Sequence, residues 1–247
     1  MSTAARYDTL GIGYRERRRP DPRIAAQFHA AMGDAKSIVN VGAGAGGYEP
    51  VGPIVIALEP STVMLEQHEG QRRVQAVAQE MPFGDDTFDV AMASLTVHHW
   101  PDPVSGLREM KRVSRRQVVF AFDPEGARDF WLLTDYLPEF GVLPHEWAAS
   151  STVIADVLDA DRVEPVLVPH DCTDGFQSAY WRRPERYLDR DVRRSISTFS
   201  FFTDDVVDAA MARLAVDIES GAWHARHGDL LEQDVADWGY RLVVAGI

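Results

Sequence analysis

Cysteine is all but absent from this chain: Cys172 is the only one in 247 residues. A single thiol excludes an internal disulfide and any cysteine-cluster metal centre. The histidines show no metal-ligand spacing with carboxylate partners, and no metal is expected. Lysine is nearly missing too. Lys36 and Lys111 stand against 23 arginines, and the formal net charge is −13. An acidic chain of this kind argues against a general affinity for nucleic acid. No stretch approaches the roughly 18 apolar residues of a membrane helix. The segment Met1 to Asp8 has no apolar core of a secretory leader. The expectation is a cytoplasmic protein with neither nucleic acid nor membrane as partner. Internal repeats and low-complexity tracts are also lacking. What remains is 45% hydrophobic and 26% charged, the balance of a soluble globular protein long enough to bury a sizeable core.

Apolar runs then set the order of elements. Residues 22–32 read as a helix, with proline in the first turn and Gly33 as a stop. Strands are expected at 37–42, 54–59, 73–77, 88–94 and 117–122. Helices are expected over 62–69, with Ser61 as N-cap, and over 103–113. Such alternation indicates a parallel, doubly wound α/β sheet. The second half changes character. Residues 125–150 are aromatic and irregular, 151–160 read as a helix and 162–169 as a strand. Asp204 to Glu219 carry a helical stripe, and Tyr240 to Val244 read as a last strand. One domain over 1–247 is expected. It comprises an N-terminal segment (1–36), a ligand-binding half (37–123) and a second half (124–247) with cap insertions near 125–150 and 174–236.

The most specific stretch is Val41-Gly42-Ala43-Gly44-Ala45-Gly46-Gly47, between two strand candidates, the second ending in Glu59-Pro60-Ser61. Glycines let the backbone approach a ligand closely. An acid at the tip of the second strand can accept hydrogen bonds from both ribose hydroxyls. Together they point to an adenosine-bearing cofactor. The glycines fit both G-x-G-x-x-G and G-x-G-x-G, so a nicotinamide oxidoreductase stays open. Spacing leans away from it: Glu59 follows Gly42 by 17 positions, and the two prolines after the loop leave no room for a long helix.

The run Ala76-Val77-Ala78-Gln79-Glu80-Met81-Pro82-Phe83-Gly84-Asp85-Asp86-Thr87-Phe88-Asp89-Val90, followed by Leu95-Thr96-Val97-His98-His99-Trp100-Pro101-Asp102, adds a second signature. Taken with the glycine loop, it resembles class I S-adenosylmethionine-dependent methyltransferases, in the small-molecule branch that contains ubiquinone- and menaquinone-biosynthesis-type enzymes. The resemblance covers residues 37–123. It implies a seven-stranded mixed sheet of order 3-2-1-4-5-7-6 with helical cap insertions, and S-adenosyl-L-methionine as cofactor. It places Gly42, Ala43 and Gly44 under the methionine part, Glu59 on the ribose, and Pro60 and Met64 beside the adenine. Ala78 and Gln79 fall at the adenine edge and Ser94 near the transferring methyl. The family usually has Glu where this chain has Gln79, so Glu80 is an alternative contact. Tyr14 and Arg19-Pro20 resemble the segment that closes over the cofactor, with Arg18 or Arg19 as partner for its carboxylate. The covering role of the missing first crossover helix falls to residues 22–32.

The implied reaction is methyl transfer to an oxygen, nitrogen or carbon of a small organic acceptor, with secondary metabolism as one setting. A cofactor-binding protein without catalysis is the other open reading. His98 and His99 lie beyond a strand's C-terminal end, where open α/β sheets bind ligands. One of the two is the candidate general base, against the plainer alternative that one caps the loop backbone and the other is solvated. The aromatic residues Trp131, Tyr136, Tyr180 and Trp181 in the insertions are expected to line the acceptor pocket, against the plainer alternative of cap core. Monomer and homodimer both stay open.

Overall fold

The computed structural model describes residues 17–142 and 149–246. Seven strands form one sheet: β1 (Ser37–Val41), β2 (Ile54–Leu58), β3 (Arg73–Val74), β4 (Phe88–Ser94), β5 (Ser114–Phe122), β6 (Arg162–Pro165) and β9 (Tyr240–Ala245). A separate ribbon pairs β7 (Val168–Pro169) with β8 (Val235–Ala236). The sheet order is β3-β2-β1-β4-β5-β9-β6. This is the expected 3-2-1-4-5-7-6 arrangement once the ribbon strands are left out of the count. The pairs from β3 to β5 are parallel, whereas β9 runs antiparallel between β5 and β6.

Both faces of the central strands are covered, so their side chains alternate between two cores. Ile38, Val90, Met92, Val118, Phe120, Leu242 and Val244 enter one core. Val39, Ala91, Ala93, Val119, Ala121 and Val243 enter the other. Helix α2 (Thr62–Gln67) follows β2, capped by the Ser61 side chain. Two helices close the second face: α3 (Pro103–Val113) through Leu107, Met110 and Val113, and α4 (Ser151–Leu158) through Ile154 and Leu158.

The first face shows what the glycine-and-proline crossover costs. Residues 42–53 form turns and no helix. Helix α1 (Pro22–Met32) lies there instead and buries Ile24, Phe28, Ala31 and Met32 beside Ile38 and Phe120. Tyr48, at a φ of 63°, turns its ring into the same core, 6.2 Å from Phe28 and 5.5 Å from Phe120. Helix α1 starts at Asp21, whose carboxylate accepts from Arg23 N–H at 3.0 Å and Thr173 N–H at 3.1 Å.

Two expected strands are shorter than their apolar runs. Only Arg73–Val74 pair with β2. The run 162–169 is split: Pro165 ends β6, and Val168–Pro169 leave for the ribbon. Beyond β5 the chain makes short turns up to residue 142. Further on come α5 (Arg190–Arg194), α6 (Asp204–Glu219) and α7 (Ala222–His227). The two insertions pack as one unit on Trp131, whose ring lies 5.5 Å from Tyr187 and 5.3 Å from Trp223.

Candidate active site

Register brings the candidate residues to one edge. Val41 pairs with Leu58 and Asn40 with Met92, so Gly42, Glu59 and Ser94 follow side by side at the C-terminal ends of β1, β2 and β4. A cavity of about 660 Å³ opens above them. Of the expected cofactor residues, Gly42, Ala43, Gly44, Glu59, Pro60 and Met64 line it. Ala78, Gln79 and Ser94 line it as well, with Arg18, Arg19 and His99 at its borders. Glu80 does not line it: the residue is exposed, and its N–H closes a turn onto the Val77 carbonyl. Gln79 thus takes the lining position, its amide donating to the Asp102 carbonyl at 3.1 Å. Tyr14 lies outside the described residues.

The glycine loop is shaped by necessity. Gly42 sits at a φ of 70°, and a Cβ there would lie 2.2 Å from Thr96 Oγ1. Gly44 sits at a φ of 53°, with Met64 Cε 3.1 Å from the same imagined atom. These positions leave the loop backbone bare toward the cavity. Glu59, 7% exposed, accepts from Gly44 N–H at 2.9 Å and from Ser61 N–H at 3.0 Å. A carboxylate offers about four lone-pair sites, so two backbone bonds leave capacity for a diol. Below the loop, Glu49 Oε1 accepts from Asn40 Nδ2 and from His68 Nε2, each at 2.9 Å. His68 Nδ1 accepts from Gly70 N–H, which fixes the proton on Nε2.

Three contributors carried no sequence signal. Asp174, 1% exposed, accepts from Arg18 Nε at 2.6 Å, Tyr48 Oη at 2.7 Å and Gly175 N–H at 2.6 Å. This carboxylate orients Arg18 toward the cavity. Burial, and then the Asp174 charge, push the Tyr48 phenol well above its ordinary pKa, so it stays a donor. Leu95 follows β4 at a φ of 51°, a conformation bulky side chains rarely adopt. It borders the cavity and turns the chain into Val97–His99. Only the Asp-Gly pair at 174–175 is visible in the sequence, and it reads as a turn.

The histidines divide. Their ring centroids lie 3.9 Å apart at a tilt of 55°, yet His99 lines the main cavity, whereas His98 reaches only an adjoining recess. Asp123, at the end of β5, is engaged structurally: it accepts from Glu125 N–H and from the Ser151 hydroxyl.

The four aromatic residues expected at the acceptor lie elsewhere. Trp131 and Trp181 are buried in the cap, the Trp131 indole donating to the Trp181 carbonyl at 2.8 Å. The Trp181 indole in turn reaches the carbonyls of Val168 and Pro169. Tyr136 donates to Asp217 at 2.8 Å, and Tyr180 packs on Tyr187 under the Arg183 and Arg186 guanidinium groups. None of the four borders the cavity or its recess. Large aromatics whose polar ends find backbone or carboxylate partners fill a core well, and the cap uses them so.

A sheet of this order with a glycine loop and strand-tip acid at its switch point defines a doubly wound enzyme fold that binds a nucleoside-bearing cofactor. A methyltransferase-domain family model matches residues 39–122, which run from β1 through β5. A solved structure from Anabaena variabilis, described as a methyltransferase of an antibiotic-biosynthesis pathway, is 31% identical. The match covers 93% of this chain and 99% of that one, with a TM-score of 0.82. The 2-methyl-6-phytyl-1,4-hydroquinone methyltransferase 2, chloroplastic, of Oryza sativa subsp. japonica is 30% identical over 123 residues. That match covers 44% of this chain and 35% of the rice protein. The Escherichia coli protein YafE is 35% identical over 65 residues, 24% of this chain and 31% of its own length. The chain thus spans about a third of these two curated relatives. It belongs to the S-adenosylmethionine-dependent methyltransferases of class I fold. Among the described residues, no helix is long and apolar enough to cross a membrane.

Proposed function

We propose that this protein binds S-adenosyl-L-methionine in the main cavity and transfers its methyl group to a small organic acceptor. One observation carries the reading: a single cavity joins the bare glycine loop, the Glu59 carboxylate and the strand tip at Ser94 with His99. When bound, the cofactor supplies a methyl on a sulfonium sulfur, whose departure as a neutral thioether needs no acid. The loop from Gly42 to Gly44 gives the methionine part a surface with no side chain larger than the Ala43 methyl. Glu59 accepts the ribose hydroxyls with the lone pairs its backbone donors leave. Pro60 and Met64 pack on the adenine, and Ala78 and Gln79 meet its edge. Arg18 and Arg19 offer positive charge to the cofactor carboxylate.

The main contribution to rate is alignment of the nucleophile with the methyl and exclusion of water, worth about 7–11 kcal/mol in well-oriented reactions. A hydroxyl or acidic carbon also has to lose a proton. His99, which lines both the cavity and the recess, is the group suited to accept it near neutral pH. The similarity to a hydroquinone methyltransferase and to a protein of antibiotic biosynthesis supports a small organic acceptor.

Thermal-shift titration and calorimetry with S-adenosylmethionine, S-adenosylhomocysteine and NADH test the reading. Stabilisation by the two sulfur compounds and none by NADH is expected. Stabilisation by NADH alone overturns it. Release of S-adenosylhomocysteine with a supplied phenol, amine or carbon acid then separates an active enzyme from a protein that only binds the cofactor.

A further inference from the structure

A recess of about 50 Å³ adjoins the main cavity and shares Arg18, Leu95 and His99 with it. Its walls include Phe122, Phe140, Phe176, Phe201 and Tyr240. Tyr240 lies 4.6 Å from the Phe176 ring and 5.4 Å from the Phe122 ring. Aromatic walls of this kind complement a flat, apolar guest.

Polar side chains interrupt them, Gln177, Arg194, Ser195 and Thr198 among them. Gln177 is 7% exposed; its side-chain oxygen accepts from the Thr198 hydroxyl, and its backbone carbonyl accepts from the Tyr187 phenol at 2.7 Å. Its amide nitrogen is buried and has no partner among the described residues. Turning the amide over leaves the oxygen orphaned instead, because Thr198 can donate or accept. A buried amide without a partner is costly, and native proteins rarely keep one without a reason.

Size limits the guest. A cavity of about 150 Å³ encloses a benzene ring. The recess is a third of that, so it admits the leading edge of a ring whose remainder lies over Leu95 and His99. A hydroxyl on that edge both donates and accepts, and so satisfies Gln177 in either orientation.

We propose that this recess is the acceptor's recognition subsite, that it takes the hydroxylated edge of an aromatic ring, and that Gln177 holds the hydroxyl oxygen. The proposal rests on the methyltransferase reading above. The anchored hydroxyl is a recognition group, and the atom that receives the methyl faces the main cavity on another part of the ring.

Phenol and toluene, which differ by the hydroxyl, are the probes, titrated by ligand-observed NMR with saturating S-adenosylhomocysteine. In the unaltered protein phenol is expected to bind about tenfold more tightly than toluene, the value of one buried hydrogen bond. Gln177→Met, similar in volume and without the amide, should abolish that advantage and leave toluene and S-adenosylhomocysteine affinities unchanged. Equal binding of the two probes, a preference that survives in Gln177→Met, or phenol displacing S-adenosylhomocysteine each overturn the proposal. If Gln177→Met does not fold, the Gln177 side-chain amide signal of the unaltered protein decides: a shift with phenol supports the subsite, and none removes it. Absence of S-adenosylhomocysteine binding overturns the wider reading separately, since the probe preference is measurable without it.

Discussion

At the scale of single residues, Glu59 and the histidine pair separate binding from chemistry. Glu59 is buried at the tip of β2 with two backbone donors already on it. Glu59→Ala should weaken S-adenosylhomocysteine by about 1.5–3 kcal/mol, the range for hydrogen bonds to a charged group. Calorimetry giving unchanged affinity in a folded variant would remove Glu59 from the site. His99→Ala should lower kcat by about 10²–10⁴-fold with cofactor affinity nearly unchanged, as for loss of a positioned base. His98→Ala, confined to the recess, should act on the acceptor's KM instead. Normal turnover in both variants would leave the reaction to alignment alone. Gly42, Gly44, Glu59 and Ser94 were legible because each is a short-range consequence of strand, turn and strand tip. Asp174 was not, because it meets Arg18 across 156 positions, a distance no local pattern spans. Trp131 and Trp181 misled for the opposite reason: an aromatic in an insertion looks the same whether it faces ligand or core.

At the scale of elements, α1 shows how a missing helix is replaced. The crossover at 42–53 is too rich in glycine and proline for a helix, and the face it leaves is closed by a helix from before β1. That placement followed from the sequence, since the 22–32 periodicity needed a partner surface. The truncation of β3 did not, because its apolar run continues into the residues beside the cavity. Helix α1 is anchored by Asp21, fully buried at its N-cap. Burial opposes the Asp21 charge, yet bonds from the Arg23 guanidinium and from Thr173 and Arg23 N–H prevail and hold its pKa at about 2. The unfolded value is near 4. Its stabilisation, about 2 kcal/mol, is therefore complete above pH ~5 and fades as pH falls from about 4 to 2. Urea titrations at pH 7, 4 and 2.5 should show this fading in the unaltered protein. Asp21→Asn should be less stable at pH 7 and lose less on acidification. Parallel pH curves for the two proteins would take Asp21 out of the acid response.

At the scale of the whole molecule, the cap extends the core on the first face of the sheet. Trp131, Trp181, Tyr187 and Trp223 belong to the cluster that also holds Phe120 and Val118 of the sheet. Trp181→Ala should thus cost about 3–5 kcal/mol of global stability. Cofactor and acceptor binding should then fall together as the folded fraction falls, and both should recover on cooling. Loss of acceptor turnover alone, at full stability, would return Trp181 to the acceptor site. Burial also pushes the Cys172 thiol up to about 12, so the chain's single cysteine reports on opening: it should resist thiol reagents until the cap unfolds. The position of β9 has a consequence of another kind. It lies between β5 and β6, both of which leave the ribosome well before it. While residues 166–239 are being made, for about 4–15 s at ordinary elongation rates, β5 has an open apolar edge and β6 has no strand to join. Synonymous codons that slow this stretch would lengthen that exposure without changing one contact of the finished protein. The yield of folded protein should thus depend on the tempo of translation as well as on the sequence it spells.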